Sequence, residues 1–173
     1  LAPSEMCIRD RDKFIQQVNE LEKTHPIIYL DESGFKSHDY RPHGYSRKGV
    51  PCLGQYNWQL KNQTNAIGAI HKGYLFSVGL FDCKINSDVF HFWIEQFLIP
   101  TLPENSVVVM DNAAFHKRAD IQELLEQQGH KILWLPAYSP DLNPIEQMWA
   151  WVKRKRKEWL IDSVDELFVL VQT

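Results

Sequence analysis

Three acidic residues have the types and positions that metal-assisted chemistry requires. Asp31 follows the apolar run "IIYL", Asp111 follows "VVVM", and Glu146 comes after a third apolar run and the turn "PAYSPDLNP". Short apolar runs bounded by polar or turn residues predict buried strands. In open α/β sheets, ligand sites lie beyond the carboxyl ends of the strands. We therefore expect the three carboxylates to converge at one edge of a sheet.

Carboxylate oxygens of this kind favour Mg²⁺ or Mn²⁺ over zinc as the bound metal. Two such ions, about 4 Å apart, can activate a water that attacks a phosphodiester and stabilise the departing oxygen. The pattern thus predicts that Asp31, Asp111 and Glu146 are catalytic and bind metal, with two divalent ions as cofactors.

Each acid also has an ordinary structural explanation. Asp31 and Asp111 can organise turns, and Asp111 can also cap the helix that follows it. The explanation is strongest for Glu146, because Asn143 at the N-cap, Pro144 at N1 and Glu146 at N3 form the pattern of a capping box. The occurrence of an acid after all three predicted strands favours a shared site.

Five consecutive basic residues follow Glu146 on the same predicted helix. Consecutive charges on a helix point in all directions, so most of them are usually solvated. Lys153, however, lies about two turns beyond Glu146 and shares its face. A cation there would attract a nucleic-acid backbone toward the acids. The candidate DNA contacts are Lys153, Arg154, Lys155, Arg156 and Lys157.

Two polar residues close to Asp111 are also candidates. Asn112 and His116 either belong to a polar loop, with His116 at the surface, or support the metal ligands and contact phosphate. For His116 the surface explanation is preferred. The helix that carries Glu146 has an apolar stripe with helical spacing, which predicts a core-facing side made of Ile145, Met148, Trp149 and Val152.

The remaining pattern predicts an α/β domain with a mixed sheet, in which an antiparallel hairpin precedes parallel crossovers. Residues 1–11 fit no element and are expected to have no structural role. In the first half of the chain, the expected elements are a helix over 12–23, a strand over 27–30, a long connection or an irregular hairpin over 36–57, a hairpin that turns at His71-Lys72-Gly73 and a helix capped by Asn86 or Ser87. In the second half, they are a strand over 107–110, a helix ended by Gly129, a strand over 132–135, a helix from Pro144 and a last helix from about Asp165.

The composition excludes several classes of protein. The chain has 173 residues, of which 44% are hydrophobic and 24% charged, as expected for one globular domain. A net charge of −3 is not typical of a general nucleic-acid binder, so any basic surface must be local. The three cysteines form no CxxC pair, which favours free thiols in a reducing compartment. No apolar run is long enough for a bilayer and no signal peptide is recognisable, so we expect a soluble intracellular protein without a membrane partner.

Three segments of the chain resemble the acidic motifs of mariner-type insertion-sequence transposases, which belong to the DDE superfamily of endonucleases. The segments are "YLDESGF", "VVVMDNAAFH" and "LPAYSPDLNPIEQMW". The turn "YSPDLNPIE" is the most specific of them. The 34 residues between Asp111 and Glu146, 112–145, match a spacing common in the bacterial branch. The resemblance covers roughly residues 25–160.

The resemblance implies an RNase H-like fold, with a five-stranded mixed sheet flanked by helices. It implies cleavage of double-stranded DNA at transposon ends, dependent on Mg²⁺ or Mn²⁺, and joining of the 3′ hydroxyl to target DNA. Carried over by motif, the metal-binding catalytic acids are Asp31, Asp111 and Glu146. A homodimer is a candidate assembly in the DNA complex, and the expected location is the bacterial cytoplasm, in association with the nucleoid.

The resemblance also sets the expected domain boundaries. Residues 1–25 are expected to form an irregular start and a short helix, and residues 26–173 the catalytic domain. Full-length members carry helix-turn-helix domains before the catalytic domain, and none is expected before residue 25, so the chain is expected to be a catalytic fragment or a decayed copy. Two alternatives stay open: an inactive DNA-binding or assembly fragment, and a hydrolase of RNA–DNA hybrids on the same fold.

Overall fold

The computed structural model describes residues 5–36, 63–113 and 116–172. The strands are β1 (Ile27–Lys36), β2 (Gln63–His71), β3 (Tyr74–Phe81), β4 (Val107–Met110) and β5 (Lys131–Trp134). The helices are α1 (Glu5–Leu21), α2 (Ser87–Trp93), α3 (Ala119–Gln127), α4 (Pro144–Trp159) and α5 (Val164–Val171). No helix within these ranges is long and apolar enough to cross a membrane. Apart from Lys36, the connection predicted over 36–57 lies outside the described residues.

The five strands form one mixed sheet in the order β3-β2-β1-β4-β5. The pairs β1–β2 and β2–β3 are antiparallel, whereas β1–β4 and β4–β5 are parallel. A hairpin therefore occupies one side of β1 and the crossover strands occupy the other. This arrangement confirms the predicted five-stranded mixed sheet with flanking helices.

Local signals in the sequence give several elements correctly. Strand β4 has the predicted bounds. The hairpin turns at Lys72 and Gly73, which both have positive φ as a tight primed turn requires. The side chain of Asn86 caps α2 by accepting hydrogen bonds from the backbone of Asp88 and Val89. Gly129, with φ of 84°, lies just past the end of α3.

Helices cover both faces of the sheet. On one face, α2 and α3 bury Phe90, Trp93, Ile121 and Leu125 against β1, β2 and β4. On the other face, α4 and α5 pack on Phe35 and Ile70, and α1 packs through Phe14 on Ile27 and Val107. Because successive side chains of a strand point to opposite faces, β1 directs Ile28 and Leu30 toward α2 and α3. By the same alternation, Asp31 belongs to the face of α1 and α4, and Glu32 to the face of α2 and α3.

The predicted start of the chain is wrong. Helix α1 begins at Glu5, so residues 5–11 are helical although no element was expected there. Arg11 also forms a bidentate ion pair with Asp141 in the turn before α4, with N–O distances of 2.9 and 2.6 Å. An ion pair this exposed contributes little stability, but it joins the first helix to the turn that leads to Glu146.

The predicted end of the first strand is also wrong. Strand β1 does not stop before Asp31 but continues to Lys36 and pairs with β2 along that length. Asp and Gly are depleted in strands, so the segment "DESGF" indicated a loop. Pairing with β2 overrides this local preference. Asp31 therefore lies inside a strand with a fixed backbone.

Candidate active site

The strand register places two of the predicted acids side by side. Strands β1 and β4 pair in parallel from Ile27 opposite Val107 to Tyr29 opposite Val109. Continued by two residues, the same register sets Asp31 level with Asp111. Strand β4 ends at Met110, so Asp111 leaves the sheet beside a strand that continues. The two acids thus lie at the carboxyl end of β4, where ligand sites of α/β sheets are found.

Asp111 is held by one of its two carboxylate oxygens. Oδ1 accepts a hydrogen bond from the backbone N–H of Ala113 at 3.0 Å and contacts Nδ1 of His116 at 2.5 Å. The hydrogen bond from His116, together with that from Ala113, holds the pKa of Asp111 below its usual value. The side chain is 50% exposed. Asp111 is therefore charged, fixed in orientation and accessible from solvent.

Glu146 occupies the first turn of α4, and buried neighbours determine where that helix begins. The side-chain amide of Asn143 donates to the carbonyl of Leu30 at 3.3 Å, which joins the helix start to the residue before Asp31. One turn later, Trp149 packs over Gly68, the residue that pairs with Asp31 across β1 and β2. A Cβ on Gly68 would lie 2.9 Å from this ring, so glycine allows the close approach.

The capping box predicted for Glu146 does not form. Asn143 is the N-cap, but its side chain makes no capping hydrogen bond and faces the sheet instead. Its backbone N–H donates to the carbonyl of Pro140, so it is not available to Glu146. The Glu146 side chain is exposed, and the structural explanation for this acid is wrong.

The electrostatics at Asp31 show that the acids act on one another. Burial, followed by repulsion from Glu32 and Glu146, raises the pKa of Asp31 from 3.8 to about 8, and Asp111 adds to the increase. Asp31 is thus a largely buried carboxyl group with three acidic neighbours, Glu32, Glu146 and Asp111. Asp31, Asp111 and Glu146 are therefore near enough to affect one another's charge, while a shared metal site stays a prediction.

The carboxylates are not already gathered as a ligand cluster. Within the described residues, no group of three or more His, Cys, Asp or Glu side chains is close enough to hold a metal ion. Like-charged carboxylates repel each other, and the Glu146 side chain is exposed. The donor set still fits a divalent ion that prefers oxygen, since the ion would offset the charge that raises the pKa of Asp31.

His116 and Glu32 form contacts beside Asp111 that the sequence pattern did not predict. The preferred interpretation of His116 as a surface residue is wrong, because its side chain is 2% exposed. Its ring contacts Oδ1 of Asp111 through Nδ1 and Oε1 of Glu32 through Nε2, at 2.5 and 2.6 Å. Burial lowers the pKa of His116, but the hydrogen bonds to Asp111 and Glu32 outweigh it and raise the pKa to about 9. Asn112, by contrast, is exposed.

The basic run divides into buried and exposed members. Arg156 is 3% exposed, and its guanidinium donates to the carbonyls of Ile161, Lys36 and Asp162. It is therefore committed to holding the end of α4 and is not available for DNA. Lys155 pairs with Glu158 at 2.6 Å. The exposed residues of the run are Lys153, Arg154 and Lys157.

Two of these cations share the face of Glu146. At 3.6 residues per turn, Lys153 and Lys157 lie within about 20° of Glu146 around the helix axis, whereas Lys155 points to the opposite side. Lys153 and Lys157 also line the same small depression beside Phe35. Of the five basic residues in the run, only Lys153 and Lys157 thus lie on the helix face of Glu146.

One large cavity among the described residues lies away from this site. It has a volume of about 1020 Å³ and lies between the start of β1, the β2–β3 turn and α4. Its lining includes Tyr29, Gln147 and Trp151, but neither Asp31, Asp111 nor Glu146. Near the end of β4, by contrast, Asp111 is half exposed and Glu146 is exposed, so solvent reaches both side chains.

The fold and the acidic sheet edge define an RNase H-like domain, and the comparisons with known proteins specify the family. The sequence profile described as DDE superfamily endonuclease matches residues 26–168. Because this match covers most of the chain, the chain belongs to the DDE superfamily endonucleases. The mariner-type resemblance is confirmed by relatives and by structural neighbours.

The relatives are transposases. The Tcb2 transposase of Caenorhabditis briggsae is 25% identical over 137 residues, which cover 73% of this chain and 50% of that protein. The chain thus spans about half the length of this curated relative. A paired-end complex of the Mos1 transposase with the left transposon end superposes with a TM-score of 0.70 at 19% identity, over 98% of this chain and 55% of that one. The Mos1 catalytic domain with Raltegravir and Mn gives 0.66 at 15%, over 98% and 82%.

Proposed function

We propose that this chain is the catalytic part of a mariner-type DNA transposase that cuts strands at transposon ends and joins the 3′ hydroxyl to target DNA. The observation that carries the proposal is the parallel register of β1 and β4, which sets Asp31 level with Asp111 at the carboxyl end of β4. Glu146 is among the acidic neighbours that raise the pKa of Asp31. Perturbed carboxylates grouped at the ligand-binding edge of a sheet are typical of a catalytic site. Membership of the endonuclease family supports phosphodiester chemistry.

All three acids bind metal in this proposal, but they differ in how firmly the fold positions them. Asp31, Asp111 and Glu146 hold divalent ions, Mg²⁺ or Mn²⁺, for which Mos1 catalytic-domain structures with Mn and with Mg give support. Two such ions, when bound, supply activation of the attacking oxygen and stabilisation of the leaving oxygen. Asp31 is fixed by its strand and Asp111 by His116, so these two set the position of the site. Glu146, on an exposed helix turn, is the adaptable ligand.

The proposed partner is double-stranded DNA, as transposon end and as target. Mos1 is known as a paired-end complex with transposon DNA, and a homodimer on DNA is the corresponding proposal for this chain. Lys153 and Lys157 extend the face of Glu146 along α4. They are proposed to hold the phosphate backbone next to the acids. Location in a bacterial cytoplasm, near the nucleoid, stays a prediction.

Metal-dependent nicking of DNA tests the proposal. The protein is incubated with supercoiled plasmid in EDTA, in Mg²⁺ and in Mn²⁺, and with a matched RNA–DNA hybrid duplex. We expect no cleavage in EDTA, cleavage of duplex DNA with either ion, and little cleavage of the hybrid. Equal cleavage with and without metal, or none with either ion on any DNA, contradicts the proposal. Preference for the hybrid would favour the alternative hydrolase.

Neutralising two lysines is expected to weaken DNA binding in a salt-dependent way. In a protein with Lys153→Gln and Lys157→Gln, the slope of log K against log salt concentration should fall by about 2, because each neutralised phosphate contributes about 0.9. Fluorescence anisotropy with a short DNA duplex, at salt concentrations from about 50 to about 300 mM, measures this slope.

The matched control removes the same charge elsewhere. Lys13 and Lys23 are exposed residues at the start of the chain, on or just past α1, and Lys13→Gln with Lys23→Gln should leave the salt slope nearly unchanged. If both double variants reduce affinity equally, net charge alone attracts the DNA and α4 holds no particular contact. The inactive DNA-binding fragment is the less favoured function, since it predicts binding without any cleavage and leaves the acidic site unexplained.

A further inference from the structure

We propose that Glu32 is a positioning residue that acts through His116 to hold Asp111 in the orientation needed at the site. The proposal rests on the proposed function, because it assigns Asp111 to the reacting centre. It adds a carboxylate that belongs to none of the three acidic positions predicted from the motifs. Glu32 itself is not proposed to contact metal or DNA.

The geometry connects two strands by way of one imidazole ring. Glu32 follows Asp31 in β1, and strand alternation directs it to the face of α2 and α3. Its Oε1 lies 2.6 Å from Nε2 of His116, and Nδ1 of the same ring lies 2.5 Å from Oδ1 of Asp111. The connection therefore runs from inside β1 to the residue that follows β4, and it fixes one oxygen of Asp111 relative to the strand that carries Asp31.

The ring of His116 cannot easily turn away from this arrangement. It is 2% exposed and lies 4.3 Å, centroid to centroid, from the ring of Phe90 on α2. With both ring nitrogens engaged and one face covered, the orientation of the imidazole is fully determined. Oδ1 of Asp111 then receives the ring and the backbone N–H of Ala113. This leaves Oδ2 as the oxygen that can face the site.

The charge of Glu32 has a cost that a purely structural residue would avoid. Glu32 is the foremost charged neighbour that destabilises ionised Asp31. An apolar residue at this position would remove that repulsion, but Nε2 of His116 would lose its hydrogen-bond partner. When a residue that hydrogen-bonds to a metal ligand and orients it is removed, activity or metal affinity typically falls by about 10–100-fold. The placement of Glu32 is thus explained by what it does for Asp111.

Three variants at position 32 separate positioning from metal binding. Glu32→Gln keeps an oxygen that can accept from Nε2 of His116, so we expect kcat within about threefold of the unmodified protein. Glu32→Ala and Glu32→Leu remove the acceptor, so kcat for plasmid nicking should fall about 10–100-fold with little change in KM for DNA. Glu123→Ala, at an exposed residue of α3, removes the same charge and should have no effect.

A double-mutant cycle tests whether Glu32 acts through His116. The cycle combines Glu32→Ala with His116→Ala, and the double variant should be no slower than His116→Ala alone because the two changes break one connection. Binding of Mn²⁺, measured by calorimetry without DNA, provides a readout that does not depend on cleavage and should weaken about 10-fold or more in Glu32→Ala. Glu32→Leu fills most of the volume and serves if the alanine variant does not fold.

Each result either supports or overturns the inference. Loss of activity in Glu32→Gln as severe as that in the acceptor-free variants makes Glu32 a ligand and overturns it, as do independent, multiplicative losses in the cycle. A lower melting temperature with unchanged kcat and Mn²⁺ affinity shows a merely structural role. If the unmodified protein cleaves no DNA, the proposed function fails separately, and the Mn²⁺ measurement alone decides whether Glu32 positions Asp111.

Discussion

Asp111→Asn is expected to eliminate metal-dependent nicking while leaving the fold intact. Oδ1 of Asp111 accepts from Ala113 and contacts His116, and the amide oxygen of asparagine can keep both contacts. The amide nitrogen then replaces Oδ2, the oxygen proposed to face the metal, and it cannot ligate. Losing one metal ligand should cost several kcal/mol of transition-state stabilisation, so the rate of nicking should fall by at least about 100-fold.

The measurement is the initial rate of plasmid nicking at saturating Mg²⁺ and Mn²⁺. Circular dichroism and the melting temperature establish that the variant is folded. Asp165→Asn, at an exposed residue in the first turn of α5, is the matched control and should cleave normally. A rate for Asp111→Asn equal to that of the control would remove Asp111 from the catalytic site and, with it, the reason for positioning this residue through His116.

The parts of the fold that were predicted correctly depend on local chemistry. Strand β4 is an apolar run between the polar residues Ser106 and Asp111, and α2 starts after an asparagine whose side chain caps it. Asp111 follows from the first of these, since a polar residue after a buried strand lies at the edge of the sheet. Elements of this kind can be predicted because a few neighbouring residues determine them.

The wrong predictions concern residues whose role is set by distant partners. The local sequence favours a surface position for His116, because its partner Glu32 is 84 positions away in the sequence, on a strand whose length the sequence does not predict. Only the continuation of β1 past Asp31 makes Glu32 a strand residue that faces α2 and α3. Residues Glu32 and Phe35 are compatible with a strand that extends past Asp31, but Gly34 between them disfavours a strand.

Arg156 and Asn143 show the same limit in the last part of the chain. Nothing in a run of five cations distinguishes the one that is buried, because its three carbonyl partners come from β1 and from the segment after α4. Asn143 matches the capping pattern in sequence, yet its amide donates to Leu30 in β1. In both cases, contacts with another part of the fold replace the local interaction that the sequence favours.

Asp31→Asn is expected to stabilise the metal-free protein while eliminating its activity. The pKa of Asp31 is about 8 in the folded protein against 3.8 as its ordinary value. A raised pKa means that Asp31 contributes most to stability below about pH 4, and that this contribution falls as the pH rises and is lost above about pH 8. Asparagine has the same shape without the charge, so the variant avoids this loss.

The advantage of the variant should therefore appear only on the alkaline side. At pH 8 we expect Asp31→Asn to be more stable by about 2 kcal/mol, or about 4–8 °C in melting temperature, with little difference at pH 4. The estimate is kept below the full shift because solvent reaches this edge of the sheet. Charged active-site residues commonly destabilise a protein, and substituting them commonly increases its stability.

Divalent ions should reverse the order of the two proteins. Mg²⁺ or Mn²⁺ that binds the folded state raises the melting temperature of the unmodified protein, whereas Asp31→Asn should respond weakly or not at all. Asp12→Asn, at an exposed residue of α1, controls for the loss of one negative charge. An advantage of Asp31→Asn that is constant from pH 4 to pH 8, or an equal response to metal in both proteins, contradicts the link between the buried carboxylate and the ion. The stabilisation and the lost metal response must appear together, because the same uncompensated charge causes both.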